Sequence, residues 1–236
     1  MYTVKRAVIL AAGMGTRMRP ITYEKPKALI AVNGTPIIDT IINGLNANGI
    51  SEIYVVVGYL KEQFYNWAVD KPNIHIIENP CYDTCNNISS LYFARNHLNS
   101  CIILDGDQII NNTAVLNPCF TRSGYNAAWC DGPTNEWLLT VENGIVGSCS
   151  RFGGSHGWQL YSVSRWSEKE GRKLSRHIEH EFESNNRQIY WDDIPIFLYS
   201  DDYELGIFEM QQGDVVEVDS IRELTVVDHS YEIYLH

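Results

Sequence analysis

The chain has 236 residues, 44% of them hydrophobic and 20% charged, which suits one sizeable α/β domain and is short for two. Its formal net charge of −11, with no basic stripe interleaved with aromatic residues, argues against a nucleic-acid partner. No apolar run approaches the length of a membrane span and the N-terminus lacks the long apolar core of a signal peptide, so the expected setting is the cytoplasm, with no membrane partner.

The first predicted element is the β-branched run Ala7-Val8-Ile9-Leu10, which ends in a glycine turn and reads as a buried parallel strand. Behind it Ala11, Ala12, Gly13 and Gly15 carry almost no side-chain volume, so a ligand can lie against main-chain N–H groups that form a nest for a triphosphate. Arg17, Arg19, Lys25 and Lys27 then place four cations in one short stretch. On a chain this acidic, such local positive charge points to an anionic ligand whose remaining charge a divalent metal neutralises.

From Pro36, the residues Ile37, Ile38, Ile41, Ile42 and Leu45 recur at helical spacing, with Gly49 placed to end the helix. Ile53–Val57 reads as a second parallel strand closed by Gly58-Tyr59, and Glu62–Val69 as a helix. Ile74–Ile77 follows as a strand, Asn86–His97 as a helix, and Ile102–Leu104 as a strand running into Asp105-Gly106-Asp107. This alternation predicts a doubly wound, mostly parallel mixed sheet, with ligands at the carboxyl ends of the strands. Both the glycine loop and Asp107 fall there.

Past Thr121 the pattern shortens. Tyr125–Trp129, Trp137–Val141, Ile145–Ser148 and Gln159–Val163 read as antiparallel strands that either mix with the sheet or cover its open end as a small lid-like insertion. Ser167–Phe182 reads as a charged amphipathic helix, followed by a polar turn at Asn185-Asn186. Val215–Val218 reads as a strand ending at Asp219, with Ser220 capping a last helix through Leu224. With no repeat, low-complexity tract or linker, a single domain over residues 1–236 is expected.

Some features carry little. The six cysteines (Cys81, Cys85, Cys101, Cys119, Cys130, Cys149) have no second pair at zinc-site spacing and read as reduced thiols. His177 and His180 lie beside Glu179 and Glu181 without further ligands, and read as a solvated helix face. Glu168-Lys169-Glu170 with Arg172-Lys173 reads as an exposed charged face.

Others carry chemistry. Asp105 and Asp107 stand two apart at a strand end, where an extended backbone turns both to one side. Carboxylates that close repel unless a cation lies between them; the alternative is that one merely caps the following loop. Asp219, taken alone, reads as an N-cap. Asn86-Asn87-Ile88-Ser89-Ser90-Leu91-Tyr92 is either a helix cap or a polar surface for a base edge. Trp137, Tyr190 and Trp191 offer ring faces and Asp192, Glu217 and Asp219 negative charge, the combination that holds a quaternary ammonium; each ring singly also suits a core.

Gly13-Met14-Gly15-Thr16-Arg17 followed by Pro26-Lys27-Ala28-Leu29 resembles the signature of the nucleotidyltransferases that activate sugar phosphates and choline phosphate. Gly58-Tyr59-Leu60-Lys61-Glu62-Gln63-Phe64, Thr134-Asn135-Glu136-Trp137, Tyr190-Trp191-Asp192, and Glu217 with Asp219 narrow this. Over most of its length, least over Phe152–Arg176, the sequence is similar to the bacterial CTP:phosphocholine cytidylyltransferases. The resemblance implies a Rossmann-like fold, Mg²⁺ as cofactor, and transfer of CMP from CTP to phosphocholine, giving CDP-choline and pyrophosphate.

It also implies roles for residues. Leu10, Ala11, Ala12, Gly13, Gly15, Thr16, Asn87 and Ser90 would bind CTP. Arg17 would hold the leaving pyrophosphate, and Lys27 the α-phosphate or the acceptor phosphate. Asp107 and Asp219 would ligate the metal, and Trp137, Tyr190, Trp191, Asp192 and Glu217 would hold the acceptor. Aminoethylphosphonate, phosphoethanolamine or another amine-bearing phosphate suits the same box, and a sugar 1-phosphate suits it less. A silent regulatory subunit fits poorly with intact Gly13, Gly15, Arg17, Lys27, Asp107 and Asp219. Monomer and homodimer both stay open.

Overall fold

The computed structural model describes residues 1–235. Its parallel half consists of β1 (Arg6–Ala11), β2 (Glu52–Val57), β3 (Ile74–Glu78) and β4 (Cys101–Asp105), side by side in the order β4-β1-β2-β3. The two faces of β1 alternate as the pleat requires. Ala7 and Ile9 pack with Ile38, Ile41 and Leu45 of α1 (Ile37–Ala47) and Phe64 of α2 (Lys61–Ala68). Val8 and Leu10 pack with Leu91 of α3 (Ile88–Ala94) and with Leu174 and Ile178 of α4 (Glu168–Glu183). A strand covered on both faces has to be apolar throughout, which is why Ala7–Leu10 shows no polar alternation.

The β-rich part joins this sheet. β5 (Gln108–Ile110) leaves β4, and then come β6 (Gly124–Thr134), β7 (Leu138–Glu142), β8 (Ile145–Ser150), β9 (Gly154–Trp166) and β10 (Gly206–Met210). Without β5, which lies apart, β6 to β10 and β1 to β4 make a nine-stranded mixed sheet in the order β6-β10-β8-β7-β9-β4-β1-β2-β3. β9 is the joint: Val163–Trp166 pair antiparallel with β4, Trp158 and Gln159 with β7, and residues from Gly154 to Arg165 with β6. Because β6 also pairs with β9, five strands close into a ring, weakest where a single pair, Ile145 with Gly206, links β8 to β10. The mixing alternative is therefore the one realised.

Separately, β11 (Val215–Glu217) pairs antiparallel with β5, setting Glu217 opposite Gln108. α5 (Ile221–Val227) follows, and Ser220 with Glu223 forms a capping box at its start.

Local departures from the expected elements have local causes. The helix expected over Asn86–His97 is helical only from Ile88, because the Asn86 amide donates to Arg187 O at 2.8 Å and holds that segment in a turn. His177 is not part of a solvated face: its ring stacks on Tyr199 at 3.9 Å and Nδ1 lies 3.0 Å from the Tyr203 hydroxyl. All six cysteines are free thiols. Among the described residues no helix is long and apolar enough to cross a membrane.

Candidate active site

The loop behind β1 is held open by close backbone packing. Gly15 sits at φ +58°, and a Cβ there would lie 3.0 Å from Thr22 Cγ2 and 3.3 Å from Lys27 Cβ. The Thr22 hydroxyl donates to Gly15 O at 2.8 Å, so this glycine lets the segment carrying Lys27 close over the loop. Gly106 makes the matching approach from β4: its amide donates to Leu10 O at 2.8 Å, and a Cβ would come within 3.0 Å of that oxygen. Among the described residues the amides of Gly13, Met14 and Gly15 donate to no protein acceptor, which leaves them free for an anion.

A cavity of about 230 Å³ lies over this loop, lined by Leu10, Ala11, Gly13, Gly15, Thr16, Arg17, Lys27, Ala28, Gly106, Asp107 and Asp219. Ala12 is buried and does not line it; its carbonyl accepts from Tyr59 N at 3.1 Å and fixes the turn.

Lys27 is the hub of the charges. Its Nζ donates to Asp107 Oδ2 at 2.7 Å and to Asp219 Oδ1 at 2.5 Å, and Arg17 Nη2 lies 2.9 Å from Asp219 Oδ2. Burial works to lower the Lys27 pKa, but the two aspartates outweigh it and the net shift is upward, so the ammonium persists. Burial likewise works to raise Asp219, and Lys27 with Arg17 overrides it, holding this carboxyl below its usual range.

Asp105, Asp107 and Glu217 each present an oxygen within 4.8 Å of the others. The end of β4 delivers Asp105, the turn into β5 delivers Asp107, and the β5–β11 pairing brings in Glu217. Burial, then the neighbouring carboxylates, push Asp105 and Glu217 well above the ordinary range. Asp107 Oδ1 is buried without a hydrogen-bond partner among the described residues. Three converging hard oxygen donors, one of them orphaned, fit a divalent cation such as Mg²⁺. Of the expected pair, Asp107 belongs to this trio, and Asp219 stands beside it, joined to Asp107 through the Lys27 ammonium that both carboxylates accept from.

A second cavity of about 310 Å³ adjoins the first and shares Arg17, Asp107 and Asp219 with it. The rest of its wall is Asn87, Asp105, Glu136, Trp137, Leu160, Ser162, Tyr190, Asp192 and Glu217. The Trp137 and Tyr190 rings meet nearly at right angles, 86°, with centroids 5.9 Å apart. Arg151 steadies this wall from behind, with Cζ 5.3 Å from the Trp137 centroid, 4.1 Å from that of Phe197, and Nη2 2.6 Å from Asp193. Burial raises the Asp192 pKa to about 7, against the pull of the Tyr125 hydroxyl.

Two expected residues face elsewhere. Trp191 is 1% exposed and belongs to the core, stacked on Tyr125 at 6.0 Å and edge-on to Trp166 at 6.1 Å. The chain turns between Tyr190 and Trp191, so only the first ring reaches the cavity. Ser90 is 4% exposed, and its hydroxyl accepts from Asn79 Nδ2 at 3.1 Å, pinning α3 to the end of β3 rather than facing a base. Asn87 does line the second cavity, and its Oδ1 accepts from Trp191 N at 2.9 Å. Glu136 and Ser162 were missed: Glu136 sits beside Trp137 in a motif that marked it, whereas nothing around Ser162 in the sequence did.

A phosphate-binding loop and a carboxylate cluster at the carboxyl ends of a parallel sheet define a nucleotide-handling enzyme. Residues 7–165 match the MobA-like NTP transferase domain, and the chain belongs to that family of nucleotidyltransferases. It is 36% identical to a 2-aminoethylphosphonate cytidylyltransferase of Lancefieldella rimae, over 97% of this chain and 94% of that one. It is 33% identical to a choline-phosphate cytidylyltransferase of Streptococcus pneumoniae, over 92% and 94%. A solved structure of CTP:phosphocholine cytidylyltransferase from Streptococcus pneumoniae superposes with a TM-score of 0.89 at 30% identity, covering 98% of this chain and all (100%) of that one.

Proposed function

We propose that this protein is a cytidylyltransferase that moves CMP from CTP to a small amine-bearing phosphate, with phosphocholine as its acceptor. One observation carries the reading: the glycine-loop cavity and the acidic aromatic cavity meet at Arg17, Asp107 and Asp219. An acceptor whose cationic end lies among Trp137, Tyr190 and the carboxylates presents its phosphate to a triphosphate held on the loop. Both relatives described above carry cytidylyltransferase in their names, which supports CTP as donor.

The chemistry asked of the protein is positioning and charge neutralisation. An oxygen of the acceptor phosphate forms a bond to the α-phosphorus of CTP, and the bond from that phosphorus to the β-phosphate oxygen breaks. The electron pair leaves with pyrophosphate, and no proton need move. The free amides of Gly13, Met14 and Gly15 receive phosphate oxygens, and Arg17, largely exposed, follows the departing pyrophosphate. Lys27 stays protonated and exchanges a carboxylate for the reacting phosphates. Asp105, Asp107 and Glu217 would hold Mg²⁺, which when bound neutralises phosphate charge. Free thiols suit the reducing cytoplasm as the site of action.

A second reading, a primary amine such as 2-aminoethylphosphonate, rests on the make-up of the wall. Two rings line the cavity, where three were expected, and of its six carboxylates Glu136 and Asp192 belong neither to the cation trio nor to the partners of Lys27. A primary ammonium donates three hydrogen bonds and uses carboxylates more than ring faces. The deciding experiment is pyrophosphate release with CTP, UTP, ATP or GTP against phosphocholine, phosphoethanolamine and 2-aminoethylphosphonate. CTP with phosphocholine should give the highest kcat/KM. A higher value with 2-aminoethylphosphonate replaces the first acceptor by the second, and equal turnover of all four nucleotides rejects cytidylyl transfer.

A further inference from the structure

Five of the chain's 18 lysines and arginines line one concavity on the far side of the sheet. They are Arg6 at the first residue of β1, Arg95 after α3, and Lys169, Arg172 and Arg176 along α4. The cavity measures about 690 Å³, and among the described residues no carboxylate lines it. It sits at the amino ends of β1 and β4, whereas the glycine loop sits at their carboxyl ends. At about 3.3 Å per strand residue, the six residues of β1 separate the two sites by roughly 20 Å.

Positive charge is here collected, on a chain of net charge −11, and only partly paired: Arg95 Nε lies 2.9 Å from Glu179. Lys169 and Arg176 form no ion pair among the described residues. Arg172 has only the exposed Glu168 one helical turn away, at 2.8 Å. Arg6 is more telling: its Nε is buried without a hydrogen bond, 3.4 Å from Glu52, while Nη1 reaches Asn99 at 3.3 Å. Lys169, Arg172 and Arg176 recur on one face of α4, where like charges three and four apart repel. The Lys169–Arg172 stretch, an ordinary solvated face by sequence alone, becomes one wall of a basic bowl once Arg6 and Arg95 stand opposite.

We propose that this bowl binds a multiply charged phosphate ligand, independently of the catalytic cavity. Several guanidinium groups around one hollow suit phosphate oxygens, since each presents its N–H donors as a planar fork. The same chemistry is offered by a soluble oligophosphate and by a lipid phosphate, and vesicles tell them apart.

The test uses inorganic tripolyphosphate in calorimetric titrations of wild type, Arg172→Gln/Arg176→Gln and Lys27→Met. Both arginines are exposed, so the double variant keeps its fold, checked by unchanged CTP turnover. Wild type should bind two tripolyphosphates. The double variant should lose the one that survives in Lys27→Met, weakened roughly tenfold or more and further weakened above about 0.1 M salt. Sedimentation of wild type, and not of the double variant, with phosphatidylglycerol vesicles identifies the source as lipid phosphate. Tripolyphosphate binding without sedimentation identifies a soluble ligand. A double variant that binds tripolyphosphate as wild type does, or a wild type that binds neither probe there, overturns the proposal. A failure of cytidylyl transfer would appear in the Lys27→Met arm and leave this result standing.

Discussion

The glycine-loop cavity draws most of its wall from residues 10–28, with Gly106, Asp107 and Asp219 closing it, whereas the adjoining acidic cavity is assembled from seven separate stretches of chain. The first is largely backbone and small side chains. The second is almost wholly long side chains delivered by strand ends and by the turn at Tyr190. Backbone cradles bind what every nucleoside triphosphate shares, and side-chain walls bind what distinguishes one acceptor from another. Damage to the first should therefore cost rate with any acceptor, and damage to the second should alter which acceptor is used.

The largest effect is expected where the cavities join. Asp107→Ala removes a member of the carboxylate trio and one partner of Lys27 together. Turnover should fall by about 10³-fold or more with every acceptor, on the order of 4 kcal/mol in the transition state. Circular dichroism should show the variant folded. Activity within tenfold of wild type with magnesium supplied would remove Asp107 from the reacting centre.

Next comes Asp192, whose buried carboxyl has its pKa raised to about 7. Below the unfolded value of about 3.9 the proton is bound in both states, and this residue adds no pH dependence. Between about 4 and 7 the native state keeps a proton that the unfolded chain has released, so stability is lost as pH rises. The full loss approaches about 4 kcal/mol, of which about 3 kcal/mol falls between pH 5 and pH 8. Asp192→Asn should remove this slope. Urea denaturation of both proteins at pH 5 and pH 8 measures it, and parallel behaviour would place Asp192 in a wetter setting than the acidic wall provides.

Lys27→Met tests the cradle alone. Its ammonium bridges Asp107 and Asp219, so the variant should lose about 10²-fold in kcat with phosphocholine and 2-aminoethylphosphonate alike. The melting temperature should move little by comparison, because the methionine side chain fills the same largely buried space as the lysine stem. A change in acceptor preference instead would show that Lys27 belongs to the second cavity.

The same division decided what the sequence disclosed. The loop was legible because its parts are contiguous and their physical reasons local: a strand, a volume-free turn, then cations. Parallel strands β1, β2 and β4 were legible because burial on both faces leaves a largely unbroken apolar run, whereas β3 lies at the sheet edge and is only partly buried. The acidic wall was only half legible. Asp105 with Asp107, and Trp137, Tyr190, Asp192 and Glu217, stood out by type, but direction is a tertiary property. Trp191 turns into the core and Ser90 toward Asn79, although their sequence neighbours reach the cavity. Asp219 was legible as a charge and illegible as a partner, since Lys27 lies 192 residues away in the chain.

Tyr190 and Trp191 give the smallest and sharpest test, because two adjacent rings should respond in opposite ways. Tyr190 is 48% exposed and lines the acceptor cavity, so its loss removes a ligand contact and almost no packing. Tyr190→Ala should raise the KM for phosphocholine by roughly two- to thirtyfold, corresponding to a ring contact of about 0.5–2 kcal/mol. The KM for CTP and the melting temperature should hold. Trp191 is wedged between Tyr125 and Trp166, so Trp191→Phe leaves a small void in the core. It should cost about 1–3 kcal/mol in unfolding free energy while both KM values stay near wild type. Phosphoethanolamine adds a control: its ammonium leans on carboxylates, so Tyr190→Ala should narrow any preference for phosphocholine over it. If Trp191→Phe shifts the phosphocholine KM as strongly as Tyr190→Ala does, Trp191 reaches the acceptor after all and the cage has three rings.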